Sequence, residues 1–130
     1  MSSEIRARAA RPFLPPHPSR LGLWIVRTFG GLYNRLVRGV SSLQVDNIDT
    51  LLRSYRSFSE GSTRLLVLFR HVNVADGPVV MTAVTQKLYR YSRRRKIRFA
   101  RKPHVQFLYG RDVLNWAGRG ARWIFPRLGG

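Results

Sequence analysis

The run Leu65-Leu-Val-Leu-Phe69 constrains the fold more than any other stretch of the chain. Five consecutive apolar residues with no helical spacing suit a strand covered on both faces. Glu60-Gly-Ser breaks the chain before this run. After it, Gly77-Pro78 opens a helix that Val79, Val80, Ala83, Val84, Lys87 and Leu88 continue towards Tyr91, because proline is pre-organised for a first helical turn. A second strand is expected at Val105-Gln-Phe-Leu-Tyr109. Another helix should run from Asp112 through Leu114, Trp116, Ala117, Trp123 and Phe125, interrupted by glycines and ended by Pro126. Strand, helix, strand, helix predicts a right-handed crossover and an α/β fold, with a mainly parallel sheet flanked by helices.

Upstream, Pro12, Pro15, Pro16 and Pro18 should hold the stretch from Arg11 to Ser19 extended, since each proline fixes its own φ and keeps its predecessor out of the helical region. Ser19 can cap a helix running to about Val37, in which Leu21, Ile25, Phe29, Leu32 and Leu36 share one face. Arg20, Arg27, Arg35 and Arg38 fall on the other side, with Trp24 and Tyr33 available for a headgroup layer. Two readings of this amphipathic helix stand side by side: an interfacial helix on an anionic bilayer, and a core-facing helix with a solvated basic side. Leu43 and Val45 alternate like a short strand, and Ile48, Leu51, Leu52 and Tyr55 return to helical spacing. The chain thus divides into a Pro-rich basic arm (1–18), the amphipathic helix and lead-in elements (19–58), and the α/β part (59–130).

Lys+Arg number 24 against 6 Asp+Glu, a formal charge of +18 that calls for a polyanionic partner: nucleic acid, an anionic membrane or a phosphorylated substrate. A hydrophobic fraction of 44% excludes a merely disordered basic tail. The absence of cysteine excludes a disulfide framework, a thiolate metal site and a cysteine nucleophile. No apolar run approaches the roughly 20 residues of a membrane span, so contact with a membrane would be peripheral. An RNA- or DNA-binding module finds no support beyond charge, as zinc spacing, ribonucleoprotein aromatics and a basic region leading into heptads are all missing. A Ser/His/Asp hydrolase lacks its GxSxG elbow. His17 and His104, each beside a proline, are read as incidental, and no metal ligands are assigned.

The chemistry-bearing pair is His71 and Asp76. In an open parallel sheet, ligands bind beyond the carboxyl ends of strands, where His71 would lie. Asp76, at the mouth of the next helix, can hold one imidazole nitrogen by a hydrogen bond and leave the other as a general base. Ordinary helix capping by an acidic residue would explain the same spacing.

His71-Val-Asn-Val-Ala-Asp76, placed after an apolar run and before a helix, resembles the HxxxxD motif of the lysophospholipid and glycerolipid acyltransferase family. The similarity is greatest to a bacterial, cyanobacterial-like 1-acyl-sn-glycerol-3-phosphate branch. It extends over Leu65 to Pro78, Pro103-His-Val-Gln-Phe-Leu-Tyr109, Trp116-Ala-Gly and Phe125-Pro-Arg-Leu-Gly-Gly130. The resemblance implies His71 as base, Asp76 as its orienting partner, and acyl transfer from an acyl-carrier-protein or coenzyme A thioester to the hydroxyl of a lysophosphatidate-like acceptor. No cofactor is implied. Arg70 stands where many relatives have asparagine. The family's later motifs, an arginine-bearing phosphate block and a Glu-Gly-Thr block, would follow Gly130, so 59–130 is expected to be the amino-terminal part of an acyltransferase domain. Glu60-Gly-Ser-Thr resembles the last block but precedes the histidine, and is read as a loop.

Arg70 and the cations Arg93, Arg94, Arg95, Lys96, Arg98, Arg101 and Lys102 are candidate contacts for anionic lipid or phosphate, at about 1 kcal/mol each near a charged surface. The expected protein is therefore peripheral on the cytoplasmic face of a membrane, with acyl thioester, lysophospholipid and an acyl carrier protein as candidate partners and no nucleic acid. The alternative is a non-enzymatic basic module binding nucleic acid or an anionic membrane.

Overall fold

A computed structural model describes residues 17–70, 73, 75–108, 123–124 and 126–128. Helix α1 (Arg20–Val37) begins where expected: Ser19 is extended, and its Oγ accepts a hydrogen bond from Gly22 N at 2.9 Å, satisfying one of the amides that a helix start leaves open. Helix α2 (Ile48–Ser59) follows Asn47, whose left-handed φ of 53° is one that asparagine tolerates better than most residues. It ends through Glu60 into Gly61, whose φ of +79° favours glycine.

Helix α3 (Asp76–Thr82), a π-helical segment (Ala83–Leu88) and helix α4 (Tyr89–Arg94) form one continuous rod. Pro78 lies in its first turn, where no amide is needed. The Thr82 and Thr85 hydroxyls donate to the carbonyls of Pro78 (2.9 Å) and Met81 (2.7 Å) around the widened turn, a competition that loosens a helical ladder.

The core lies between the rod and α2. Leu52 and Tyr55 from α2 pack on Val84 and Leu88, and Ile48, Leu51, Leu65, Tyr91, Ile97, Phe99 and Val105 close around them. Tyr55 meets Phe58 and Phe99 edge to face, at 5.6 and 5.1 Å between ring centroids. On another side of the rod α1 runs antiparallel to it: Asn34 Nδ2 donates to Pro78 O (3.1 Å) and Thr82 Oγ1 (2.9 Å), and Gln86 Nε2 donates to Val26 O (3.1 Å). Gly30 and Gly31 make this approach possible. A Cβ on Gly31 would stand 2.9 Å from Gln86 Oε1, and one on Gly30 would stand 3.0 Å from Thr82 Oγ1. Residues 126 and 127 close against the start of α1, as His17 N and Ser19 N donate to Pro126 O and Arg127 O, each at 2.9 Å.

The expected α/β fold is overturned. Among the described residues there is no strand, and the mainly parallel sheet flanked by helices is replaced by a largely helical fold. Leu65–Phe69 and 105–108 are neither helical nor laddered, although the Phe69 and Phe107 rings meet at 6.3 Å. Leu68 is 85% and Leu108 89% exposed, so neither run is covered on both faces. Leu43 and Val45 form no strand either. A strand requires a ladder of a partner's amides and carbonyls as well as apolar side chains, and no such ladder is formed among the described residues. The helix expected from Asp112, including Trp116, falls largely outside the described residues; Trp123 and Ile124 within it are helical.

Candidate functional site

Asn73 and Ala75 lie in the turn that leads into α3. Asp76 N donates to Asn73 O at 3.0 Å, and the Asp76 carboxylate accepts from Asn73 N at 2.7 Å. Asn73 in turn accepts through Oδ1 from Ala75 N at 3.0 Å. Asp76 is thus folded back over the loop, and its carboxylate lies on the loop side of the helix start. His71 itself, with Val72 and Val74, lies outside the described residues. Arg70 immediately before it is exposed.

The cationic run does not gather at Asp76. Asp76 and Arg93 stand near opposite ends of the rod, which at 1.5 Å per residue separates them by about 25 Å. Ile97 and Phe99 turn into the core, while Arg93, Arg94, Arg95, Lys96, Arg98, Arg101 and Lys102 are exposed. Arg95 is held by Tyr91, whose hydroxyl accepts its hydrogen bond at 2.8 Å and itself donates to Asp49 Oδ1 at 2.8 Å. The other six have no side-chain partner among the described residues.

Two residues that the sequence did not mark as anion contacts, Lys87 and Arg90, join Arg94 along a groove of ≈ 310 Å³. Leu43, Val45, Ile48 and Tyr91 form the rest of its lining. Their i, i+3, i+7 spacing was readable as one cationic helix face.

Helix α1 shows the largest departure from a core-facing element. Its inward side carries Gly30, Gly31 and Asn34, the last only 2% exposed, with Leu23, Val26 and Arg27 partly buried beside them. Leu21, Ile25, Phe29, Leu32 and Leu36 are 44–72% exposed. The stripe exists as predicted, but it faces outward. Arg27, on the basic side, is not solvated. It turns inward, with Nη2 donating to Pro103 O at 3.4 Å and the guanidinium 5.6 Å from the Tyr89 ring centroid, while its buried Nε has no partner. Close by, Tyr55 Oη accepts from His104 N at 3.2 Å. Burial pushes the Tyr55 hydroxyl pKa up, against the opposing pull of that hydrogen bond and of the Arg27 charge.

No described helix is long and apolar enough to cross a membrane, and no group of three His, Asp or Glu that could hold a metal ion occurs among the described residues. Compared with protein-family models, curated proteins and solved structures, the chain finds no match.

Proposed function

We propose that the chain is an O-acyltransferase acting on a lysophosphatidate-like acceptor at the cytoplasmic surface of an anionic membrane, with His71 as the general base and Asp76 as its orienting carboxylate. The observation that carries this reading is the return of the Asp76 carboxylate onto Asn73 N, two residues after His71 in the sequence. In the reaction the acceptor hydroxyl attacks the thioester carbonyl while His71 takes its proton. The carbon–sulfur bond then breaks, and the departing thiolate receives the proton from the imidazolium. The products are an ester and a free thiol, and no protein nucleophile is needed.

The test is transfer of a labelled acyl chain from an acyl-carrier-protein or coenzyme A thioester to lysophosphatidate presented in vesicles. His71→Ala should lower the rate by about 10²–10⁴, the usual contribution of a positioned base. Equal rates in the variant and the parent would remove His71 from the chemistry.

A second reading, a non-enzymatic basic module on an anionic membrane, is favoured by the outward apolar stripe of α1. That stripe also favours a membrane over nucleic acid, whose backbone offers apolar side chains nothing. Vesicle binding without any acyl transfer by the parent chain would select this second reading.

A further inference from the structure

We infer that α1 is the element that docks on the bilayer, lying in the plane of an anionic membrane with Leu21, Ile25, Phe29, Leu32 and Leu36 in the acyl boundary and Arg20, Arg35 and Arg38 at the lipid phosphates. This rests on the membrane-surface part of the proposed function and is independent of acyl transfer.

Three observations carry the inference. First, the helix is inverted relative to a core helix. Gly30, Gly31 and Asn34 meet the rod, and its stripe of large apolar residues, covering about 80° of arc at 100° per residue, faces away. Rotating the stripe inward would break the bonds of Asn34 and Gln86, and would place large side chains where even a methyl group on Gly31 meets Gln86 Oε1 at 2.9 Å.

Second, the borders of the stripe have interfacial character. Trp24 lies towards one edge and Tyr33 towards the other, both exposed, and such rings settle between headgroups and acyl chains. Third, the charge complements an anionic surface. Helix α1 contains no acidic residue. Arg20 and Arg35 have no side-chain partner among the described residues, and Arg38 rests over the Tyr33 ring at 5.5 Å, alongside the stripe.

A second copy of the chain is the poorer occupant, because pairing two such faces would bring like-charged arginines together on chains that each carry +18. An anionic bilayer supplies both an apolar layer and the opposite charge, the combination that holds a surface-lying amphipathic helix.

The experiment is co-sedimentation of the full chain with vesicles of equal parts phosphatidylglycerol and phosphatidylcholine. The double variant Ile25→Asp/Phe29→Asp should lower the partition coefficient by about 100-fold, from lost apolar burial and added negative charge. Arg20→Gln/Arg35→Gln should lower it by about 30-fold on the anionic vesicles and leave binding to pure phosphatidylcholine unchanged. Circular dichroism and thermal unfolding of both variants should match the parent, as all four side chains are exposed.

Undiminished vesicle binding by a folded Ile25→Asp/Phe29→Asp variant would overturn α1 as the docking element while leaving the membrane-surface reading intact. A parent chain that ignores vesicles would overturn both. A vesicle-independent dimer that Phe29→Asp dissociates would replace the bilayer with a second copy. Acyl transfer to a water-soluble acceptor, measured on the same variants, reads the catalytic proposal separately.

Discussion

The rod formed by α3, the π-helical segment and α4 is flanked by two helices, and the two contacts are built from different chemistry. Against α2 its buried centre is apolar: Leu52 and Tyr55 close on Val84 and Leu88 with no directional bond among the four, and the exposed bond from Tyr91 Oη to Asp49 Oδ1 lies at the rim. Against α1 it is polar and close: Asn34, Thr82, Gln86 and the backbone of Val26 exchange hydrogen bonds across two glycines. Apolar burial is strong but tolerates sliding and rotation. A set of hydrogen bonds contributes less net energy and fixes one orientation, because each buried polar group left unpaired costs more than the bond gains. The α2 contact therefore supplies stability, and the α1 contact sets which way α1 faces. The second contact is what leaves the apolar stripe of α1 available to a surface.

The largest effect is expected where the apolar contact is densest. Leu88 is 0% exposed, so Leu88→Ala should cost about 2–5 kcal/mol and lower the thermal midpoint by roughly 10 °C or more. A near-parental melting curve would show that the α2 side is not where the fold is held. On the polar side, Asn34→Leu removes the bonds to Pro78 O and Thr82 Oγ1, at about 1–3 kcal/mol. Amide hydrogen exchange should then accelerate in α1 while α2 and α4 keep their protection. Uniform acceleration would contradict the division of labour between the two contacts.

Tyr55→Phe should cost about 0.5–1.5 kcal/mol, from loss of the acceptor for His104 N. It also has a pH signature. The Tyr55 pKa is raised in the folded state above its ordinary 10.0, so its stabilisation is complete below that pH and is lost as pH rises through the folded value. Thermal midpoints measured across this alkaline range should fall more steeply for the parent than for Tyr55→Phe, and parallel curves would reject the assignment. The smallest effect belongs to the outward face. Phe29→Ser should change stability by no more than about 0.5 kcal/mol in the absence of membrane, and a larger loss in urea unfolding would mean that the stripe is covered.

Much of the local structure was legible in the chain. Ser19 announced the start of α1, and Ile48, Leu51, Leu52 and Tyr55 marked α2 through a periodicity that any amphipathic helix must show. Gly77-Pro78 marked the helix that follows the loop. The sheet was misread because Leu65–Phe69 and Val105–Tyr109 carry strand composition, while strand formation depends on a distant partner that composition does not specify. For the candidate site, the sequence brought His71 and Asp76 to attention by spacing. The fold added the turn that brings the Asp76 carboxylate back to Asn73 N. It also separated Arg93 to Lys96 from Asp76, a consequence of how far one unbroken helix extends.

The sequence by itself determined that this chain is strongly cationic, that it has the residues for several helical stretches, and that one of them carries the stripe Leu21, Ile25, Phe29, Leu32 and Leu36. These are properties of residue type and of the 3.6-residue turn, and they hold whatever the helices pack against. Tertiary structure alone decided which side of α1 faces the body. Periodicity reports that a helix has two faces, but the choice between them comes from a contact far along the chain, where Asn34 and the two glycines fit against Thr82 and Gln86 and the apolar residues do not.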